Sequence, residues 1–362
     1  MKKTISIILI ATMLIATLSS CGRIEIYNKY SDNFLDVFDT VTQVVGYTKT
    51  EKEFKSYMDY IHKRMLDLHK LYDKYNTYEG INNIKTINDN AGKNPVKVDK
   101  EIIDLILFSK DMYYKYGQKT NIALGSVLNI WHDYRENAKI DPDNAKVPPI
   151  DELREANKYT DIDKVIVDIQ NSTVYLEDSH MSLDVGSVAK GFATEIVARE
   201  VEEKGLKSAI ISAGGNIRTI GKPLDGQRER WGVGLQNPDA NPLIPETNVL
   251  DTVFINDASV VSSGDYQRYY KVGDKVYHHI IEPSTLMPGD YYRAVTVITP
   301  DSGEADFLST TVFLLPYEES KKLVESIDGL EALWVFKDGT IEATEGMQRI
   351  MKSHGATGAK SE

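Results

Sequence analysis

The chain has one cysteine, Cys21, and it stands at the foot of an apolar run. A single thiol can form no disulfide framework and no cluster of thiolates around a metal. A hydrophobic core must therefore hold the fold together, and 362 residues are enough to bury a large one.

The run before the cysteine reads as an export signal. Lys2 and Lys3 form a short basic start, Ile5 to Leu18 is almost wholly apolar, and Leu18-Ser19-Ser20-Cys21 closes it. The stretch is short for a membrane span, which needs about 20 apolar residues. Its end resembles a bacterial lipobox, so Cys21 is expected to be lipidated. Residues 1–21 would then be a lipoprotein signal peptide, and the protein extracytoplasmic and lipid-anchored to the cell membrane. The formal charge is −12, and losing residues 1–21 removes two lysines and no acid, taking it to −14. So acidic a chain is no partner for nucleic acid, and lipid rather than a basic face would hold it to the membrane. Residues 22–33 read as a tether, 34–350 as the working domain, and 351–362 as a polar C-terminal tail.

Within the domain, Phe38 to Tyr47 has strand composition. Phe54, Tyr57, Ile61, Met65, Leu68 and Tyr72 recur at helical spacing over 51–73, and 100–116 reads as a second helix. Prolines at 142, 148 and 149 mark 136–150 as a loop. Segments 164–168 and 173–177 flank a turn. Ser187 stands where a helix N-cap would, and Gly205 where that helix stops. Strands are expected at 208–212 and 295–298, helices at 306–315 and 317–327, and a last hairpin around Asp338-Gly339. Helices and antiparallel hairpins mix without βαβ alternation, which gives an α+β fold and argues against a two-lobed solute-binding lipoprotein.

Five segments have residue types that suit chemistry, though each is also compatible with a plain turn, edge or cap. Leu183–Ala193 opens a helix with glycines, a preceding carboxylate and Lys190, a setting that suits phosphate, although its spacing is not that of a Walker A loop. Ser212–Arg218 has paired glycines after an apolar strand. Ser262–Tyr270 brings small hydroxyls, an aromatic and Arg268. His278-His279 precedes Glu282-Pro283. Adjacent strand residues face opposite ways, so at most one of the two histidines serves a site as general base. Asp306 and Thr310, four apart on a helix, offer two hard oxygens to Mg²⁺.

These segments, in this order and with Trp231–Gly234, Ser263–Tyr266 and Phe38–Thr42 among them, resemble the ApbE family of FAD:protein FMN transferases. The Asn121–Trp131 stretch and the following His132–Glu136 resemble its Gram-positive members. The resemblance covers nearly all of the chain after residue 33. It implies a T-fold-like sandwich of antiparallel sheet and helices. It also implies Mg²⁺ held by the Ser187 carbonyl, Asp306 and Thr310, and FAD contacts at Phe38, Lys119, Thr120, Asn121, Asp184, Lys190 and Ile281. His279 would be the base. FAD is the implied substrate, and an exported flavoprotein with a Thr or Ser attachment site the implied acceptor. Two departures stand out. Glu282 replaces an aspartate of many relatives, and Gln118–Asn121 replaces a Gly-Ala-Phe-Asp run. Two other readings fit the same residues: an FAD pyrophosphatase giving FMN and AMP, and a flavin-binding surface lipoprotein without catalysis.

Overall fold

The computed structural model describes residues 25–240, 244 and 247–360. Cys21 and the expected signal lie outside the described residues.

In chain order the strands are β1 (Asn28–Val37), β2 (Thr40–Thr48), β3 (Val96–Lys97), β4 (Val165–Asp168), β5 (Thr173–Leu176), β6 (Ala209–Ala213), β7 (Asn216–Ile220), β8 (Trp231–Gln236), β9 (Val249–Ile255), β10 (Ser259–Gly264), β11 (Tyr269–Val272), β12 (Lys275–His278), β13 (Tyr292–Thr299), β14 (Glu331–Phe336) and β15 (Ile341–Ala343). The helices are α1 (Glu51–Tyr72), α2 (Ile84–Asp89), α3 (Lys100–Lys115), α4 (Gly125–Ile140), α5 (Ile150–Ala156), α6 (Ala189–Glu203), α7 (Ser302–Phe313), α8 (Tyr317–Glu325) and α9 (Glu345–Ile350).

Eight strands form one sheet in the order β1-β2-β6-β7-β10-β13-β14-β15. Every pair in it is antiparallel, so the expected α+β class holds. Strand alternation splits the sheet's side chains between two cores. Val261, Val295, Val297, Ala332 and Trp334 face the helices. Val260, Ala294, Ile298, Leu333 and Val335 face the β8–β9 hairpin and Met347 of α9. A third cluster joins α4 to the β11–β12 hairpin through Trp131, Tyr270 and Leu286.

α1 forms where its apolar spacing puts it. Thr50 caps it by accepting the Glu53 amide at 3.2 Å, and Phe54, Met58, Ile61, Met65, Leu68 and Tyr72 are buried. Met58 takes the core place expected of Tyr57, whose hydroxyl instead reaches the Lys204 carbonyl.

Several boundaries differ from the sequence reading. Asn28–Asn33, expected as tether, lie in β1 because the β2 edge offers them a ladder. The strand expected from Phe38 starts at Thr40, and Phe38-Asp39 turn the chain. Helix α4 runs through Ile140, so only the latter part of 136–150 is loop. α7 starts at Ser302 under an Asp301 cap, placing Asp306 inside the helix rather than at its head. The expected tail is partly docked: Met351 pairs with Val253 and Ala359 with Arg228.

Where α6 crosses α7 there is no room for a side chain at Gly191, since a Cβ there would run into the Ser302 carbonyl and the Asp306 Cβ. Gly191→Ala should therefore force the helices apart and lower the unfolding free energy by about 1–3 kcal/mol. Urea denaturation checks this, and a variant as stable as the parent would contradict so close a crossing.

Candidate active site

One cleft, of about 450 Å³, opens between the helical layer and the end of the sheet. Its walls come from the β1–β2 turn, the end of α1, the segment before α4, the start of α6, the β6–β7 turn, the end of β10, the chain after β12, and α7. Phe38, Lys119, Thr120, Asn121, Asp184, Ser187, Lys190, His279, Ile281, Asp306 and Thr310 all line it. Residues far apart in the chain, each compatible with a structural role, thus share one cavity.

The two histidines separate as alternation requires. His278 is buried, donates from Nε2 to the Gly289 carbonyl at 2.7 Å and accepts the Ile280 amide at Nδ1, 3.2 Å. Both ring nitrogens are committed. β12 ends at His278, and His279 follows it into the cleft. Nδ1 of His279 donates to the Arg268 carbonyl at 3.2 Å, and the Arg268 carbonyl also takes the His279 amide at 3.1 Å. That bond fixes the proton on Nδ1 and leaves Nε2 bare. Burial in the cleft, then the neighbouring His278 and the positive charges of Arg268, Arg135 and Lys190, holds the imidazole well below its ordinary range. It is a neutral base.

Asp306 is 5 % exposed. Its carboxylate accepts the Gly191 amide at 2.8 Å. Burial pushes its carboxyl up, opposed by Lys190 and that amide. No ion pair with it forms among the described residues. Thr310 Oγ1, one helical turn on, makes no hydrogen bond among the described residues. Asn216 is buried beside Asp306, and its side-chain amide helps hold that carboxyl down. A buried carboxylate and an open hydroxyl suit a cation and a polar ligand. Among the described residues no three His, Cys, Asp or Glu side chains group as metal ligands. A hard cation here would need backbone and substrate oxygens, as Mg²⁺ commonly takes.

The start of α6 corrects one expectation. Val188, not Ser187, holds the cap position, and no side chain among the described residues caps the helix, because a turn closed by Val188 N–H on the Val185 carbonyl precedes it. Part of the helix start is already engaged: the Gly186 amide is taken by Asp184 at 2.9 Å, the Ala189 amide by Val185, and the Gly191 amide by Asp306. Side chains add to what an anion would meet: Lys190 and Arg268 line the cleft and form no ion pair among the described residues.

Side chains at the expected flavin contacts are mostly engaged elsewhere. Thr120 bonds the Thr311 hydroxyl at 2.8 Å. Asn121 caps the short turn before α4 and reaches the Thr160 carbonyl at 2.9 Å. Lys119 pairs with Glu282 at 2.9 Å, and Glu282 also accepts from Ser284, tying the turn after Ile281. Asp184 pairs with Lys74 at 2.6 Å, and Lys74 also bonds Asn129 at 2.9 Å. Lys74 had no signal in the sequence, since it stands in no motif, and although Asn129 lies in the Asn121–Trp131 stretch only the topology brings the two to Asp184.

With this geometry in place the comparisons are direct. The ApbE family model matches residues 38–334, and the chain belongs to the ApbE family. It is 33 % identical over 276 residues to the FAD:protein FMN transferase of Treponema pallidum, covering 73 % of each chain. It is 30 % identical over 261 residues to one from Klebsiella pneumoniae, covering 71 % of this chain and 76 % of that one. The crystal structure of the ApbE protein of Thermotoga maritima matches with a TM-score of 0.75 at 26 % identity, over 90 % of this chain and 99 % of that one. The flavin transferase ApbE of Vibrio cholerae shares the fold at 18 % identity, with a TM-score of 0.71 over 89 % and 100 % of the two chains.

Burial alone would raise Asp184, but the Lys74 ammonium and the Gly186 amide outweigh it and hold the carboxyl below its usual range. A depressed carboxyl adds stability above its unfolded value, about 3.9, and loses it as pH falls through the folded value. Lys74→Met strands the buried carboxylate and should cost about 3 kcal/mol at pH 7. The deficit should shrink as pH falls from 7 to about 4 and below, because without the ammonium burial raises the stranded carboxyl, which then takes up its proton above its unfolded value of about 3.9. Denaturant titrations at both pH values check this. A deficit equal at both would contradict the pairing.

Proposed function

We propose that this protein is an FAD:protein FMN transferase, which cleaves FAD, joins the FMN phosphate to a hydroxyl of an acceptor protein and releases AMP. One observation carries the reading: a neutral imidazole with a bare Nε2, a lysine without an ion pair among the described residues and a buried carboxylate line the same cleft. Its family membership and relatives support the same activity.

In this reading a threonine or serine hydroxyl of the acceptor loses its proton to Nε2 of His279. Its oxygen forms the new bond to the FMN-side phosphorus. The bond from that phosphorus to the bridging oxygen breaks, and AMP leaves with the electron pair. Lys190 and Arg268 offset charge on the phosphates, and positioning and electrostatics carry most of the rate. Asp306, Thr310 and the Ser187 carbonyl are the oxygens that would hold Mg²⁺, which when bound would neutralise pyrophosphate charge. The acceptor is an exported flavoprotein. A lipid on Cys21 would keep the enzyme extracytoplasmic, on the acceptor's side of the membrane.

His279→Ala should keep FAD affinity and lower AMP release by about 10²–10⁴-fold, the span of a general base. Asp306→Ala should lose activity and Mg²⁺ response together. Unchanged turnover in H279A would remove the imidazole from the reaction.

Because His279 titrates far below neutrality, its base form persists across the working range. With kcat/KM reporting the free enzyme, AMP release should show no acid limb between about pH 8 and 5. A fall in kcat/KM with a midpoint between about 6 and 7 would contradict the assigned environment.

A further inference from the structure

The tip of the β1–β2 hairpin holds Phe38 and Asp39 at φ 51° and 52°. The two-residue turn between paired Val37 and Thr40 is of the kind that favours Asn-Gly. A phenylalanine in left-handed backbone is an outlier. Such strain persists where surroundings over-determine it, and it gathers at ligand sites.

Here the surroundings are specific. The Phe38 amide donates to Nδ1 of His69 at 3.2 Å, and the two rings meet edge to face, 5.4 Å apart at 84°. His69 accepts there only with Nδ1 bare, which puts its proton on Nε2. Nε2 lies 3.5 Å from the Tyr78 hydroxyl. That hydroxyl gives its own proton to Asp73 at 2.7 Å, so its oxygen can accept from His69. Asp73 is buried and fixed by the Tyr75 and Asn76 amides at 2.6 and 3.1 Å. The relay Asp73–Tyr78–His69 thus runs from the end of α1 to the strained turn. Phe38, Asp39, His69 and Asp73 all line the cleft.

We propose that His69 is a positioning residue: through the Phe38 amide it presets the strained turn as the cleft wall on which an extended aromatic ring of the substrate rests. The inference depends on the flavin-transfer reading for what that ring is, an isoalloxazine. A wall ordered in advance spares the ligand the cost of ordering it, so the role shows in affinity and not in the rate at saturation.

The test measures FAD affinity of the full-length protein by flavin fluorescence, and AMP release at saturating FAD. H69A should bind FAD about tenfold more weakly while saturated turnover stays within about twofold. H69Q, whose side-chain oxygen can take the Phe38 amide, should recover most of the affinity. Parental affinity in H69A, or lost turnover at parental affinity, overturns the proposal. If H69A does not fold, Y78F removes the oxygen that meets Nε2 and must likewise weaken FAD binding without slowing saturated turnover; parental affinity in Y78F then overturns it. A parent protein that binds no FAD refutes the flavin reading itself, a separate failure from a parent that binds and an H69A that binds equally well.

Discussion

The crossing of α6 over α7 at Gly191 is the contact on which the rest of the site depends. α7 rests on the sheet through residues such as Leu308 and Val312, and α6 can reach it only because position 191 has no side chain. The crossing is pinned from both sides. On one, Asp306 accepts the Gly191 amide. On the other, buried Glu195 of α6 accepts the Ser302 amide at 2.9 Å and the Arg218 guanidinium at 3.0 Å. A fully hydrogen-bonded buried pair of this kind fixes geometry more than it adds stability. The carboxylate read as a metal ligand is therefore part of the packing, and its place in the cleft is set by the same contact that joins the helices.

The electrostatics of the cleft run against those of the molecule. The chain is strongly acidic, yet among the described residues Lys190 and Arg268 line the cavity without an ion pair, while Asp184 is paired with Lys74 and Asp306 is buried and hydrogen-bonded. Local donors outvote net charge, and a polyanionic ligand is the natural complement. His278 and His279 show how little sequence distance matters to this. One is locked by two backbone bonds into a core role. The other keeps one nitrogen free and is held neutral chiefly by its burial in the cleft, with the cations around it adding to the effect.

Much of this was legible in the residues. Antiparallel hairpins without βαβ alternation led to the right class, and the ordered motifs led to residues that share one cavity. Apolar spacing located α1 to within a residue. What the sequence could not convey were the partners a side chain finds at long range. Thr120, Asn121 and Lys119 read as ligand contacts and do line the cleft, but no spacing foretold that their side chains also bond Thr311 of α7, a local cap and Glu282. Lys74 and His69 carry no motif, because their meaning comes from a fold that sets the end of α1 beside Asp184 and the β1–β2 turn. Glycines before α6 suggested an anion cradle, but not that Asp184 and Asp306 would take the Gly186 and Gly191 amides. Boundaries slipped where pairing overrode composition, as when the β2 edge drew Asn28–Asn33 into a strand.

Transfer of FMN to protein releases AMP and labels the acceptor, so both products are followed at once. Purified protein, FAD, Mg²⁺ and an exported candidate acceptor are incubated. AMP is then quantified, and flavin fluorescence of the acceptor is read after denaturing electrophoresis. Transfer gives AMP and a fluorescent acceptor band in equal amounts, both abolished by EDTA. AMP with free FMN and no labelled protein, for every acceptor tried, would contradict transfer and leave hydrolysis; intact FAD throughout would contradict catalysis.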